Sequence, residues 1–210
     1  MSPPITSAAV AILVGGQSRR MGVDKARLPV GPSSALQRVI AAATPLGLPL
    51  ILVCAAAGQE ADERMAWLSS FGLPIIPDLH SDLGPLGGLR AALSGSDGDR
   101  LLLLACDLPF LTTSFLAYML SVPATADVVL PRDQHGLQPL CAVYARSCLP
   151  ELDRRLAQSS LSLVDFVRSV DYRSLEAADY AQFDPEGVLM TNLNTTQDYD
   201  RAQAMVQGMA

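Results

Sequence analysis

The chain has 210 residues, half of them hydrophobic and 17% charged, with a formal net charge of −6. That length suits one α/β domain with a sizeable core and is short for two. The acidic balance argues against a duplex DNA- or RNA-binding surface, which needs dense Lys and Arg, and no apolar run approaches the roughly 20 residues of a membrane span.

In chain order, residues 1–7 read as a short disordered lead without a secretory signal pattern. Residues 8–14 are an apolar strand. The strand feeds Leu13-Val14-Gly15-Gly16-Gln17-Ser18-Arg19-Arg20-Met21-Gly22-Val23-Asp24-Lys25. Glycine backbone can bend so that several N–H groups converge on one anion, and Arg19 and Lys25 add charge. The run is neither G-x-G-x-x-G nor a Walker A loop, so it reads as a phosphate cradle of another kind. Residues 33–43 place Leu36, Val39, Ile40 and Ala43 on one helical face, with Ser33 or Ser34 as N-cap. A strand over 50–54, a helix over 59–71 and a brief strand at Ile75-Ile76 follow. Then come Pro77-Asp78, a Gly/Pro loop at Gly84-Pro85-Leu86-Gly87-Gly88 and a helix over 87–93. Residues 101–106 are almost wholly apolar, as in a central strand covered on both faces.

Further on, a helix is expected over 113–120, strands over 127–130 and 140–144, and helices over 151–158 and 162–169. Short strands over 171–175 and 188–190 precede a last helix capped by Thr195, with Asp198 as its capping-box partner. Strand–helix alternation implies right-handed βαβ units. The fold expected is a single-domain, three-layer, doubly wound α/β structure with a mostly parallel, Rossmann-like sheet over residues 8–210. Cys54, Cys106, Cys141 and Cys148 form no C-x-x-C pair and read as reduced thiols of a cytoplasmic protein.

In such a sheet, ligands sit beyond the C-terminal strand ends. The Gly15 loop, Cys54, Asp78 and Asp107 all fall there. Asp107 follows the central strand; it suits Mg²⁺, or caps the next helix. Asp78 precedes a glycine loop that either hugs a base or ribose or is an ordinary turn. Gln138, Asn192 and Asn194 stand beside short strands, where substrate contacts and turn chemistry are both open. His80 and His135 lack metal-ligand spacing and read as surface loop residues. No nucleophile elbow is present.

Taken together, these residues resemble the molybdenum cofactor guanylyltransferases (the MobA family) of the nucleotidyltransferase superfamily. The resemblance rests on the Leu13–Lys25 signature, Pro77-Asp78, Gly84-Pro85-Leu86-Gly87-Gly88, Cys106-Asp107-Leu108-Pro109, Gln138-Pro139-Leu140-Cys141-Ala142-Val143-Tyr144 and Asn192-Leu193-Asn194-Thr195. It implies Mg²⁺-dependent transfer of GMP from GTP to molybdenum-molybdopterin, with release of pyrophosphate. It implies that Leu13, Val14, Gly15 and Gly16 hold the nucleotide, with Lys25 on its phosphates and Asp78 on the nucleoside. Asp107 would hold nucleotide and Mg²⁺, Arg19 would face the triphosphate, and Gln138, Asn192 and Asn194 would meet the pterin. Cys54 joins the nucleotide set by position, although the family often has Asn there. The family commonly has Ala at Val14, and basic residues frequent near 159–162 are absent. Transient contact with molybdopterin-loading proteins or apo-molybdoenzymes is implied. The alternatives are a cytidylyltransferase or other nucleotidyltransferase of the superfamily, and a non-catalytic nucleotide-binding partner in cofactor delivery.

Overall fold

A computed structural model describes residues 7–15, 24–55, 61–78 and 83–208. Residues 1–6, Gly16, Arg19 and His80 lie outside them. Ser7 belongs to the folded body, since its carbonyl accepts the Arg100 N–H at 3.2 Å. In chain order the elements are β1 (Ala8–Val14), β2 (Pro29–Val30), β3 (Ser33–Ser34), α1 (Ala35–Ala43), β4 (Leu50–Ala55), α2 (Ala61–Ser69), β5 (Ile75–Asp78) and α3 (Gly84–Gly95). There follow β6 (Arg100–Ala105), α4 (Thr113–Ser121), β7 (Val128–Asp133), β8 (Gly136–Leu137), β9 (Cys141–Ala145), α5 (Leu149–Ala157) and α6 (Leu163–Val167). β10 (Tyr172–Leu175), α7 (Ala177–Tyr180) and α8 (Thr196–Gly208) complete the set.

The main sheet runs β10-β7-β9-β6-β1-β4-β5, with β8 added to β7. β1 pairs in parallel with β4 and β6, β4 with β5, and β10 with β7; β9 is antiparallel to both its neighbours. Strand order therefore reverses at β1 and β6, and a crevice opens at their C-terminal ends. Alternate residues of β1 face opposite layers. Val10, Ile12 and Val14 meet Leu36 and Val39 of α1, Leu68 of α2 and Phe115 of α4. Ala9 and Ala11 meet Leu86 and Leu89 of α3, Leu152 of α5 and Phe166 of α6. Burial on both sides is why these strands read as unbroken apolar runs. All six residues of β6 are buried. A third cluster joins Val30, Ala35, Phe110, Leu193 and Ala202. It seats α8 beside the β2–β3 hairpin, whose turn uses Gly31 at φ +66°.

Three expectations need correction. The Gly84–Gly88 segment is the first turn of α3, because Pro85 at the helix start gives up only an N–H that has no intrahelical partner. Pro77 does not end β5, which continues to Asp78 on the sheet edge, where a strand tolerates proline. Residues 188–190 form a turn rather than a strand. Asp184 Oδ1 accepts the N–H groups of Val188 (2.7 Å) and Leu189 (3.2 Å), and Leu189 drops into the core. Ser34, not Ser33, caps α1, in a reciprocal pair with Gln37. The Thr195–Asp198 cap of α8 forms as expected: Asp198 N–H donates to Thr195 Oγ1 at 3.1 Å and Thr195 N–H to Asp198 Oδ2 at 2.8 Å.

Candidate functional site

Asp24 caps a short 3₁₀ turn over Lys25–Arg27 by accepting the Ala26 N–H at 3.1 Å. Ala26 is buried, which seats the turn and leaves Lys25 aimed across the strand ends. Lys25 Nζ donates to Asn194 Oδ1 at 2.5 Å and lies 3.3 Å from Asp107 Oδ2. Lys25 is also the only lysine of the chain, against fourteen arginines.

Asp107 stands two residues past β6. The Cys106 N–H bonds the Leu13 carbonyl at 3.2 Å, which ties this strand end to β1. The Leu193 N–H bonds the Asp107 carbonyl at 3.2 Å, and Asp198 Oδ2 accepts the Asn194 N–H at 3.1 Å. The Asn192–Thr195 segment is thereby pinned against the carboxylate. Burial pushes the Asp107 carboxyl above the usual carboxylate range, and the Lys25 ammonium opposes that shift. A carboxylate in this condition favours a neighbouring cation.

The second wall of the crevice is α3. A Cβ at Gly88 would come within 2.9 Å of Leu13 Cδ2 and 3.8 Å of Asp78 Oδ2. Glycine here brings helix backbone against Leu13 and the buried Asp78. Leu83 gives α3 no side-chain cap, so its first-turn N–H groups face outward as donors. Cys54 and Val14 point their side chains into the core, 2% and 0% exposed. A ligand can reach them only through backbone. Burial raises the Cys54 thiol's pKa above its ordinary value, which keeps it neutral.

Next to Asn194 lies a cleft of about 660 Å³. Asp133 at the end of β7, His135 of the β7–β8 turn, Asp184, Asn192, Asp198 and Arg201 line it. Gln138 is at the same end of the sheet, its N–H on the Pro131 carbonyl at 2.9 Å, but outside the cleft lining. His135 is exposed and shares in the cleft, a placement its sequence context did not reveal. Among the described residues no cluster of three or more His, Cys, Asp or Glu is placed to hold a metal. Sequence reasoning also missed Arg64, whose Nη2 lies 3.1 Å from Asp24 Oδ1; it stands in a charged stretch that reads as a solvated helix face. Lys25, Asp107 and Asn194 are brought together, Leu13 and Asp78 sit across Gly88, and Gly16 and Arg19 are outside the described residues.

Residues 10–173 match the model of the MobA-like NTP transferase domain. A protein of Pelotomaculum thermopropionicum named "Probable molybdenum cofactor guanylyltransferase" is 32% identical over 93% of this chain and 92% of its own length. The molybdenum cofactor guanylyltransferase of Desulfosudis oleivorans is 27% identical over 93% and 94%. Among solved structures, molybdopterin-guanine dinucleotide biosynthesis protein A of Archaeoglobus fulgidus superposes with a TM-score of 0.81 at 26% identity, covering 96% of this chain and 100% of that one.

Proposed function

Because the chain belongs to the family of MobA-like NTP transferase domains, we propose that it transfers GMP from GTP to molybdopterin and releases pyrophosphate. The observation that carries this reading is the convergence of Lys25, Asp107 and Asn194 at the switch in strand order. A phosphate nucleophile is anionic at neutral pH and needs no strong base. Catalysis then rests on positioning and on neutralising charge about the reacting phosphorus. Lys25 meets the triphosphate. The backbone from Leu13 to Gly15 and the close approach at Gly88 hold the nucleoside, with Asp78 as acceptor for its polar hydrogens. The neighbouring cleft takes the pterin, with Asn192 on its wall.

The donor chemistry fits Mg²⁺, which binds through one or two carboxylates and the substrate phosphates rather than an all-protein cage. Asp107 would hold the ion, which when bound supplies positive charge to the triphosphate and departing pyrophosphate. Four cysteines buried in the core, with no C-x-x-C pair, support a reducing, cytoplasmic setting. Among the described residues no helix is long and apolar enough to cross a membrane.

The test is nucleotide selectivity. GTP with Mg²⁺ is expected to raise the melting temperature more than CTP, ATP or UTP, and to yield pyrophosphate when molybdopterin is added. A preference for CTP sinks the guanylyl reading in favour of a cytidylyltransferase. Binding of GTP without pyrophosphate release favours the non-catalytic partner.

A further inference from the structure

The turn that carries Lys25 is stapled to α2 from both sides. Arg64 of α2 reaches Asp24 at 3.1 Å. Arg27 of the turn reaches back, its Nη2 donating to the Glu63 carbonyl at 3.2 Å and its guanidinium lying 4.8 Å from the centre of the Trp67 ring. Asp24 Oδ1 thus accepts two bonds with different effects. The bond from Ala26 closes the turn, and the bond from Arg64 fixes the turn to the helix. The other carboxylate oxygen of Asp24, Oδ2, lies farther from its neighbour, 3.9 Å from Arg27 Nε.

An ion pair at this depth is an expensive way to hold a helix. The Arg64 Nε is buried with no hydrogen-bond acceptor, and a partly buried pair loses in desolvation much of what it gains in attraction. Among the described side chains of α2, only Leu68 is buried. Met65 and Trp67, partly buried against the core, seat the helix beside it, while the arginine bonds define where it meets the turn. That junction sets the start of a lysine side chain with four rotatable bonds, whose ammonium must land between Asp107 and Asn194.

We propose that Arg64 is a positioning residue for triphosphate binding, acting through Asp24 on Lys25. This rests on the reading that Lys25 meets the phosphates, so the test has one arm that needs no nucleotide. Lys25 is the only side-chain amine in the chain, so reductive methylation followed by mass spectrometry reports on it apart from the α-amino group. In the ligand-free protein, Arg64→Ala should speed Lys25 methylation several-fold. Asp24→Asn, which keeps a good N-cap but loses the charge, should do the same, and Arg64→Lys, with its added amine resolved from Lys25 by peptide mapping, should restore most of the protection. An unchanged rate in folded Arg64→Ala and Asp24→Asn overturns the proposal.

The second arm is a double-mutant cycle on GTP. Arg64→Ala should raise the KM for GTP about tenfold, the size of one charge-assisted hydrogen bond, with little change in kcat. In a Lys25→Ala background the same substitution should add nothing, because contacts that act as one unit are not additive. Losses that add in full mean that Arg64 works independently of Lys25, and the proposal falls. Absence of nucleotide binding in the unsubstituted protein removes the guanylyl reading and leaves the methylation arm to decide Arg64.

Discussion

Asp107 sets a stability cost against a function. Its native carboxyl titrates above the ordinary range because burial outweighs the help from Lys25. The folded state therefore holds that proton more tightly than the unfolded state. Stability linked to this group is greatest below the ordinary carboxylate pKa. It declines as pH rises toward the raised native value, and stays lower above it. Asp107→Asn removes the charge and keeps an oxygen for Lys25. We expect it to melt about 2–4 °C higher at pH 7, roughly 1 kcal/mol for a domain of this size, and to lose nearly all pyrophosphate release. Calorimetry across pH checks the first outcome: the wild-type decline should be absent from the variant. At this scale Lys25, Asp78 and Asp107 were legible, because strand ends and turn chemistry show locally. Asn194 was legible as a polar turn residue, but its bond to Lys25 was not, since 169 residues separate them.

Glycines divide the elements into those that serve the site and those that serve the fold. At Gly98, between α3 and β6, an added Cβ would sit 2.9 Å from the Arg100 carbonyl, 3.0 Å from that of Ser7 and 3.1 Å from Ala9 N. All three are backbone and cannot step aside. Gly98→Ala should cost about 2–3 kcal/mol, read as a lower urea midpoint. At Gly88 the nearest atom, 2.9 Å away, is the free end of the Leu13 side chain. Alanine also favours a helix over glycine by up to about 1 kcal/mol. Gly88→Ala should thus leave the midpoint nearly unchanged while raising the KM for GTP about tenfold, because Leu13 is pushed into the space the nucleoside needs. A midpoint loss as large as at Gly98 would show that α3 and β1 cannot part there. Strands and helices with strong apolar patterns were legible as elements. The start of α3 was not, because Gly-Pro at a loop and Gly-Pro in a first helical turn look alike. Residues 188–190 were misread because three apolar residues in a row say nothing about pairing; the Asp184 carboxylate decides that turn.

Across the whole molecule, strand–helix alternation gave the layered architecture, but not the place of β9, whose reversed insertion between β6 and β7 is a non-local choice of partners. The layers also seal every cysteine: Cys54, Cys106, Cys141 and Cys148 are at most 7% exposed. Burial pushes the thiols up, Cys141 and Cys148 to about 12. A thiol reagent should therefore modify the native protein no faster than it opens, and should modify all four cysteines at once in denaturant. Rapid native labelling of one cysteine would locate a layer that opens alone.

The Lys25–Asn194 bond gives the molecule a built-in order of events. During synthesis β1 and its glycine loop emerge early, and the strands that surround β1 follow as far as β6. The Asn194 segment comes nearly 170 residues after the lysine it meets. Until then the ammonium lacks its Asn194 partner and the cleft lacks a wall. A nascent chain thus holds Lys25 and the strand ends about β1 long before the Asn194 side of the crevice exists. The transferase is completed by its last helix, when α8 closes on the β2–β3 hairpin through Gln203, whose side chain bonds the Pro29 carbonyl at 2.8 Å and the Gly31 N–H at 3.3 Å.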